Sequence, residues 1–408
     1  MTKTVFLDRT TPPHIATLVV IAGLSALNMN LILPSLPGIS SYYEADYALV
    51  QLAVSGYLAV TGLLQLIIGP LSDRYGRRPV LIVSLIIFLV ATALTPFAPS
   101  IEAFLAIRML QAGVVSGMVL SRAIVRDIVG TEQAASMIGY VTMGMTLAPM
   151  IGPALGGFME ELFGWQSVFA VLFIFGLAAF FLLLTDLGET NLNRSPSMLK
   201  QFGAYPELIR SRRFWGYSLT ATFASGSFFS FLGGGPFVAT RILDMQPSEL
   251  GLYFMFIALG YMTGNFLSGR FASRIGLNRM MVTGSMIATF GMILALLLFL
   301  VGFWHPLSFF GPIFFLGLGN GVTLPSANAG IVSVRPHLAG SASGLGGAMM
   351  IGGGAGLSAL AGAILSAETG PYPLIIVMLT SCILSVFATL YVVRVENSLT
   401  AGAKIDRA

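Results

Sequence analysis

Twelve mostly apolar stretches recur along the chain, separated by short polar breaks: 15–37, 48–71, 79–97, 101–125, 135–158, 165–185, 215–239, 249–270, 280–302, 306–330, 340–365 and 371–393. A helix that crosses a bilayer needs about 20 such residues. The pattern therefore predicts an all-α polytopic membrane protein with twelve transmembrane helices. Spanning strands would show about ten residues of strict alternation each, and no such segments occur. The longest polar segment, 186–214, carries Asp186, Glu189, Arg194, Lys200, Glu207, Arg210, Arg212 and Arg213. It divides the chain into a first six-helix bundle (1–185), a linker (186–214) and a second bundle with a short tail (215–408).

Composition supports the same class. The chain is 56% hydrophobic and 9% charged, against about 25% charged in soluble domains. The formal net charge of +4 does not point to nucleic acid, because the basic residues follow the spans. Of 21 Lys and Arg, all but Arg108 and Arg241 fall in the termini and the loops of one side. Lys and Arg gather on the cytoplasmic side of membrane proteins, so both termini are expected in the cytoplasm. Cys382 is the only cysteine, which excludes an intrachain disulfide. The first stretch is too long for a cleavable leader and is expected to act as an uncleaved anchor.

The two halves repeat at one offset. Gly69, Arg74 and Gly76 recur as Gly269, Arg274 and Gly276, and Gly144, Ala148, Gly152 and Gly156 recur as Gly344, Ala348, Gly352 and Gly356. All seven identities lie 200 residues apart. This predicts a parallel duplication, with two bundles related by a pseudo-twofold axis along the membrane normal. Small residues every four positions make one smooth helix face on which backbones approach closely. That face serves tight packing, sliding between states, or both.

The segment Gly69-Pro-Leu-Ser-Asp73-Arg74-Tyr-Gly76-Arg77-Arg78 resembles the signature loop of the major facilitator superfamily of transporters. Its copy, Gly269-Arg-Phe-Ala-Ser-Arg-Ile-Gly276, has Ser273 in place of the acid. Arg108-Met-Leu-Gln111-Ala-Gly113 resembles the family's fourth-helix element. Gly139, Ala148, Gly152-Pro153 and Gly156-Gly157, with Gly144 on the same face, resemble its antiporter element. Leu33-Pro-Ser-Leu-Pro37, Arg122-Ala-Ile-Val-Arg126-Asp127, Phe214-Trp-Gly-Tyr217 and Gly234-Gly-Pro-Phe237 are similar to the Bcr/CflA branch of drug-resistance transporters. The resemblance implies a twelve-helix drug:proton antiporter in a bacterial inner membrane, working as a monomer in lipid without a cofactor. It implies two further things: the acid Asp73 latches neighbouring helix ends, with the start of the eleventh helix near Gly340 or Arg126 as partner, and protons are the coupling ion. The branch commonly carries an aspartate where this chain has Asn30, so the expected proton carrier is missing there.

Arg108 sits about 10 Å inside the fourth span at 1.5 Å per residue. A charge at that depth costs a few kcal/mol and marks a functional site by default. One reading places it in a cavity for substrate or coupling, and the other makes it structural, bonded to backbone carbonyls. Gln111, Val115, Arg122 and Arg126 follow at helical spacing and predict one continuous stripe. Asn28, Asn30, Tyr57 and Asn320 are polar positions in apolar helices, and Phe231 and Phe256 add aromatic surface. A largely apolar site with few polar groups suits amphiphilic small molecules. No Asp or Glu occupies the middle of a span; Glu44, Asp46, Glu102, Glu160, Glu161, Asp244, Glu249 and Glu368 fall at outer ends or loops, and Asp46 or Glu44 near the outer mouth is the expected substitute for the missing acid. Arg77 and Arg78 are read chiefly as topology determinants.

These features predict secondary active efflux of small drug-like compounds by alternating access. The alternatives are export of one endogenous metabolite or siderophore, uncoupled facilitation, and a non-transporting receptor. No phosphate-binding Gly-x-x-x-x-Gly-Lys-Ser/Thr element is present, and no His, Cys or acid cluster at membrane depth suggests an enzyme or a metal site.

Overall fold

The computed structural model describes residues 4–129, 137, 140–141, 145, 148–191, 205–335 and 338–405. Among them every regular element is helical. The chain divides into two compact units, Met1–Leu199 with Met245–Phe254, and Lys200–Asp244 with Met255–Ala408.

In the first unit, α1 (Ile15–Asn30) is continued through a 3₁₀ turn at Leu33–Ser35 into α2 (Leu36–Tyr42). Pro34 and Pro37 lie at the starts of these two pieces, where a missing N–H costs nothing. There follow α3 (Leu52–Tyr75), α4 (Arg77–Leu94), α5 (Ile101–Gln111), α6 (Val115–Ile128), α7 (Ala148–Phe163) and α8 (Gln166–Asp186). The fourth predicted span is therefore two helices, with a 3₁₀ turn at Ala112–Val114 between them. The two pieces still run as one segment, Ile101–Val125.

The second unit holds α9 (Arg212–Phe237), most of α10 (Pro247–Ile275), α11 (Leu277–Leu300), α12 (Pro306–Ser333), α13 (Ala339–Ile364) and α14 (Tyr372–Ile405). Among the described residues, ten segments are long and apolar enough to cross a membrane. Helix α9, the seventh predicted span, is too rich in Gly, Ser and Thr to join them, yet almost all of its residues from Phe214 onward are buried. A helix buried all round is one enclosed by other helices. The fifth predicted span, 135–158, lies partly outside the described residues.

Side chains at helical spacing on several spans remain exposed: Val83, Ile86, Ile87, Val90 and Leu94 on α4, and Met286, Phe290, Ile293, Leu297 and Leu300 on α11. Apolar faces of this size are rare on soluble monomers. They suit a multi-span protein whose outer surface meets hydrocarbon.

The polar segment 69–79 is less of a loop than its composition predicts. Helix α3 runs through it to Tyr75, and α4 starts at Arg77. Gly76 alone turns the chain, at φ 104° and ψ 154°. Gly276 does the same between α10 and α11, at φ 89° and ψ 150°. That region of backbone space is open essentially to glycine only. The repeat at an offset of 200 thus preserves a one-residue corner in each half.

Candidate functional site

Two polar constellations stand out in the first unit. One surrounds Arg108, which ends in the last turn of α5 and is 1% exposed. Its Nη1 donates to Asn28 Oδ1 at 2.8 Å and to Gln111 Oε1 at 2.6 Å. Its Nη2 donates to the Asn28 carbonyl at 2.9 Å, and its Nε to the Ala53 carbonyl at 3.4 Å. The guanidinium also lies 4.4 Å from the centre of the Tyr57 ring, a cation–π geometry. Tyr57 accepts from Asn28 Nδ2 at 3.1 Å. The Gln111 amide donates onward to Thr95 Oγ1 at 3.0 Å and Thr92 Oγ1 at 3.3 Å. Asn28, Tyr57, Arg108 and Gln111 therefore form one network, joining α1, α3, α4 and α5.

The network holds a positive charge with neutral acceptors: two side-chain amides, two backbone carbonyls and an aromatic face. Fixed dipoles of this kind keep a charge in place of water. The backbone contacts are those of the structural reading of Arg108, and the amide contacts add a relay that sequence did not predict. Thr92 and Thr95 escaped notice because a threonine in an apolar helix carries no signal of its own.

Asn30 stands apart. Its Nδ2 donates to the Ala26 carbonyl of its own helix at 2.7 Å, while Oδ1 is buried without a partner. Gly152 packs on it from α7: a Cβ at Gly152 would lie 3.1 Å from Asn30 Cβ. At Gly156 a Cβ would strike the Leu31 carbonyl. Gly157, on another side of α7, faces the Pro247 carbonyl, and Gly251 faces the Pro153 carbonyl. Ala148 is buried. The predicted close approach is made at Gly152 and Gly156, but not at their copies: Gly344, Gly352 and Gly356 have open space where a Cβ would go. Gly139 and Gly144 lie outside the described residues.

The second constellation closes the corner at Gly76. Arg77, which reads in sequence as a topology residue, is its hub and is 8% exposed. Its Nη1 contacts Asp73 Oδ1 at 2.5 Å and Ser72 Oγ at 2.6 Å, and its Nε contacts Asp127 Oδ2 at 3.0 Å. Glu189, just beyond α8, accepts from the Arg77 N–H at 2.9 Å and the Arg78 N–H at 3.3 Å. A carboxylate over the first N–H groups of a helix is stabilised by the unpaired donors and the helix dipole. Asn191 Nδ2 donates to the Asp73 carbonyl at 3.0 Å. Asp73 thus pairs within its own unit. Arg78 Nη2 reaches the Leu184 carbonyl at 3.3 Å. Arg74 is exposed and lies over Tyr75 at 5.3 Å. Gly69 lies inside α3 with open space where a side chain would go. Arg122 is partly buried on α6. The Arg126 side chain and those at the start of α13, including Gly340, lie outside the described ones, as does that of Ser273. Sequence reasoning missed Ser72, Asp127, Glu189 and Asn191; the last three are distant in the chain, and only the fold brings Asp127 and Glu189 to Arg77 and Asn191 to Asp73.

The second unit makes a comparable tie without the lost acid. Glu396, near the end of α14, receives Arg213 Nη2 at 2.6 Å, the Tyr217 hydroxyl at 2.7 Å and Asn278 Nδ2 at 2.7 Å. Asn278 follows the Gly276 corner as Arg78 follows Gly76. Phe231 is fully buried against Phe309 and Phe310, with ring centres 6.0 Å away from each. Phe256 is partly buried. Asn320 is 2% exposed, with its Nδ2 unpartnered.

Among the described residues no group of His, Cys, Asp and Glu could hold a metal ion.

The sequence profile of the Major Facilitator Superfamily matches residues 18–359. The chain is 28% identical to the bicyclomycin resistance protein homolog of Haemophilus influenzae, over 92% of this chain and 94% of that protein. It is 28% identical to the chloramphenicol resistance protein of Pseudomonas aeruginosa, over 78% of this chain and 76% of that protein. The fold matches that of a bacterial homolog of the human lysosomal transporter Spinster, solved in an inward-facing, occupied conformation. The TM-score is 0.70 at 17% identity, covering 94% of this chain and 96% of that one.

Proposed function

The chain belongs to the major facilitator superfamily of transporters, and from that premise we propose that it exports small amphiphilic, drug-like compounds by alternating access, driven by proton antiport. It is a multi-span membrane protein and not an enzyme. The observation that carries the reading is the face of α7, where Gly152 and Gly156 bring its backbone onto α1 at Asn30 and Leu31. Helices that touch through backbone can shift past one another without interlocking side chains, as a rocking transporter requires. Relatives named for drug resistance supply the substrate class.

On this reading the first unit supplies a rigid core around Arg108 and a latch at Gly76. The Arg77 cluster holds α3, α4, α6 and the segment after α8 as one body, against which α7 is left to shift on α1. Arg108, Asn28, Asn30, Tyr57 and Gln111 from the first half, and Phe231, Phe256 and Asn320 from the second, are the proposed substrate and coupling positions. The protein is placed in a bacterial inner membrane, surrounded by lipid, as a monomer with both termini cytoplasmic.

A susceptibility panel in a pump-deficient host tests the reading, with chloramphenicol among the compounds and with and without a proton uncoupler. Protection against several unrelated compounds, abolished by the uncoupler, is expected. Protection against none would remove the drug-export reading. A second reading, uncoupled facilitation, is favoured by one observation: Asn30 stands where the branch commonly carries an acid. It predicts protection that the uncoupler does not touch.

A further inference from the structure

The close-packed face of α7 does not end at Gly156. Ala148, Gly152, Gly156 and Glu160 follow at four-residue intervals, so they form one slowly winding stripe along the helix. The first glycine meets Asn30 and the second meets Leu31. Glu160 meets the next part of the same strand of chain, α2, where Gly38 leaves room for it: a Cβ at Gly38 would strike Glu160 Oε1. The other carboxyl oxygen, Oε2, is buried with no partner.

Nothing described neutralises this acid. It takes part in none of the ion pairs among the described residues. The stretches around it, 31–46, 156–170 and 245–254, contain no Lys, Arg or His. Their titratable groups are Tyr42, Tyr43, Glu44, Asp46, Glu161, Glu249 and Tyr253. Glu161 is exposed, and Glu249 caps its own helix by accepting from the Gln246 N–H at 3.1 Å. Facing Glu160 itself are Gly38 and Ser35. Glu160 lies beyond the predicted fifth span, 135–158, and burial pushes its pKa up to about 7, with Ser35 pulling the other way. The residue as a whole is partly buried, and a carboxyl oxygen shut from water without a cation favours the neutral form.

We propose that Glu160 is the proton-binding group of this exporter, occupying the α7 side of the contact whose α1 side carries the neutral Asn30. The inference rests on the proton-antiport reading and names its residue. Glu160 lies two turns of α7 beyond Gly152, the residue against Asn30, about 12 Å along the helix. The carboxyl keeps its place against Gly38 and Ser35 when protonated. When it loses the proton, the carboxylate needs water, and the contact between α7 and α2 loosens. Proton binding and the sliding of the glycine face thereby become one event.

Two measurements test this on the full-length protein. Dicyclohexylcarbodiimide modifies protonated carboxyls in apolar surroundings. Mass spectrometry of the labelled, purified protein should find Glu160 modified, with labelling falling as pH rises through a midpoint near 7. A midpoint at the ordinary carboxylate value of about 4.3, or no modification at any pH, overturns the assignment. In proteoliposomes, Glu160→Gln should keep exchange of labelled for unlabelled chloramphenicol and lose pH-gradient-driven accumulation at least tenfold, while Glu160→Asp retains part of it. Accumulation by Glu160→Gln equal to wild type, or loss of exchange together with accumulation in both variants, also overturns it. If the wild type moves no chloramphenicol, the export reading fails for that compound, and the labelling profile alone decides whether Glu160 binds a proton.

Discussion

Replacing Arg108 with lysine keeps the charge and removes the geometry. The guanidinium serves four acceptors: Asn28 Oδ1, Gln111 Oε1 and the carbonyls of Asn28 and Ala53. An ammonium has three donors on one atom, so at least one buried acceptor loses its partner. Each such loss costs about 1–3 kcal/mol, and the charge remains buried. Arg108→Ala leaves both amide oxygens, Asn28 Oδ1 and Gln111 Oε1, without a donor, about 2–6 kcal/mol. Removing the charge returns about 2.5–3.5 kcal/mol of insertion cost. The net for Arg108→Ala therefore runs from a gain of about 1.5 to a loss of about 3.5 kcal/mol, against a loss of about 1–3 kcal/mol for Arg108→Lys. Both are expected to insert. Arg108→Lys is expected to unfold in detergent below the wild-type midpoint, and both variants are expected to give no protection against chloramphenicol in a pump-deficient host. Thermal unfolding followed by size-exclusion chromatography reads the first effect, and growth reads the second. An Arg108→Lys protein with wild-type unfolding would refute the acceptor argument. Wild-type protection by Arg108→Ala would remove Arg108 from the mechanism.

Gly76→Ala and Gly276→Ala each force an alanine into glycine-only backbone space, at a cost of about 1–3 kcal/mol. The Gly76 variant should be the less stable, because its Cβ would also strike the Glu189 carboxylate while Gly276 has open space; equal unfolding midpoints would contradict this. Arg77→Ala should reduce transport and stability more than Asp73→Asn, since Arg77 contacts Asp73, Ser72 and Asp127 together; the reverse order in growth and thermal assays would dethrone it as the hub. Cys382 is buried, so native protein should resist maleimide labelling. That silence makes the chain a background for topology: Phe97→Cys should label from outside intact cells, and Ile209→Cys only after permeabilisation, with the opposite pattern overturning the cytoplasmic termini.

The helical class and the internal repeat were legible because lipid imposes long apolar runs and because a glycine-only corner must recur in each half. Gly76 and Gly276 show this most plainly. Arg108 was legible as an isolated charge, but its partners Thr92 and Thr95 were not, since hydroxyls in apolar helices are common and mostly bond to their own backbone. The polar run 69–79 misled in one respect. It reads as a loop, yet α3 continues through it, because Gly69 and Pro70 are tolerated inside a packed membrane helix. Arg77 read as a sidedness marker, because its carboxylate partners Asp127 and Glu189 lie 50 and 112 residues away. Glu160 read as an ordinary acid at a span's end; only the packing of α7 on α2 shows one of its carboxyl oxygens buried without a partner.

Proton-driven export is the central claim, and one measurement meets it directly. Purified protein in liposomes is given an imposed pH gradient, and the uptake of labelled chloramphenicol is followed with a fluorescent reporter of lumenal pH. The account predicts accumulation above the external concentration, proton movement in the opposite direction, and collapse of both on adding an uncoupler. Chloramphenicol flux that only runs down its own gradient, with no accompanying change in lumenal pH, would contradict it.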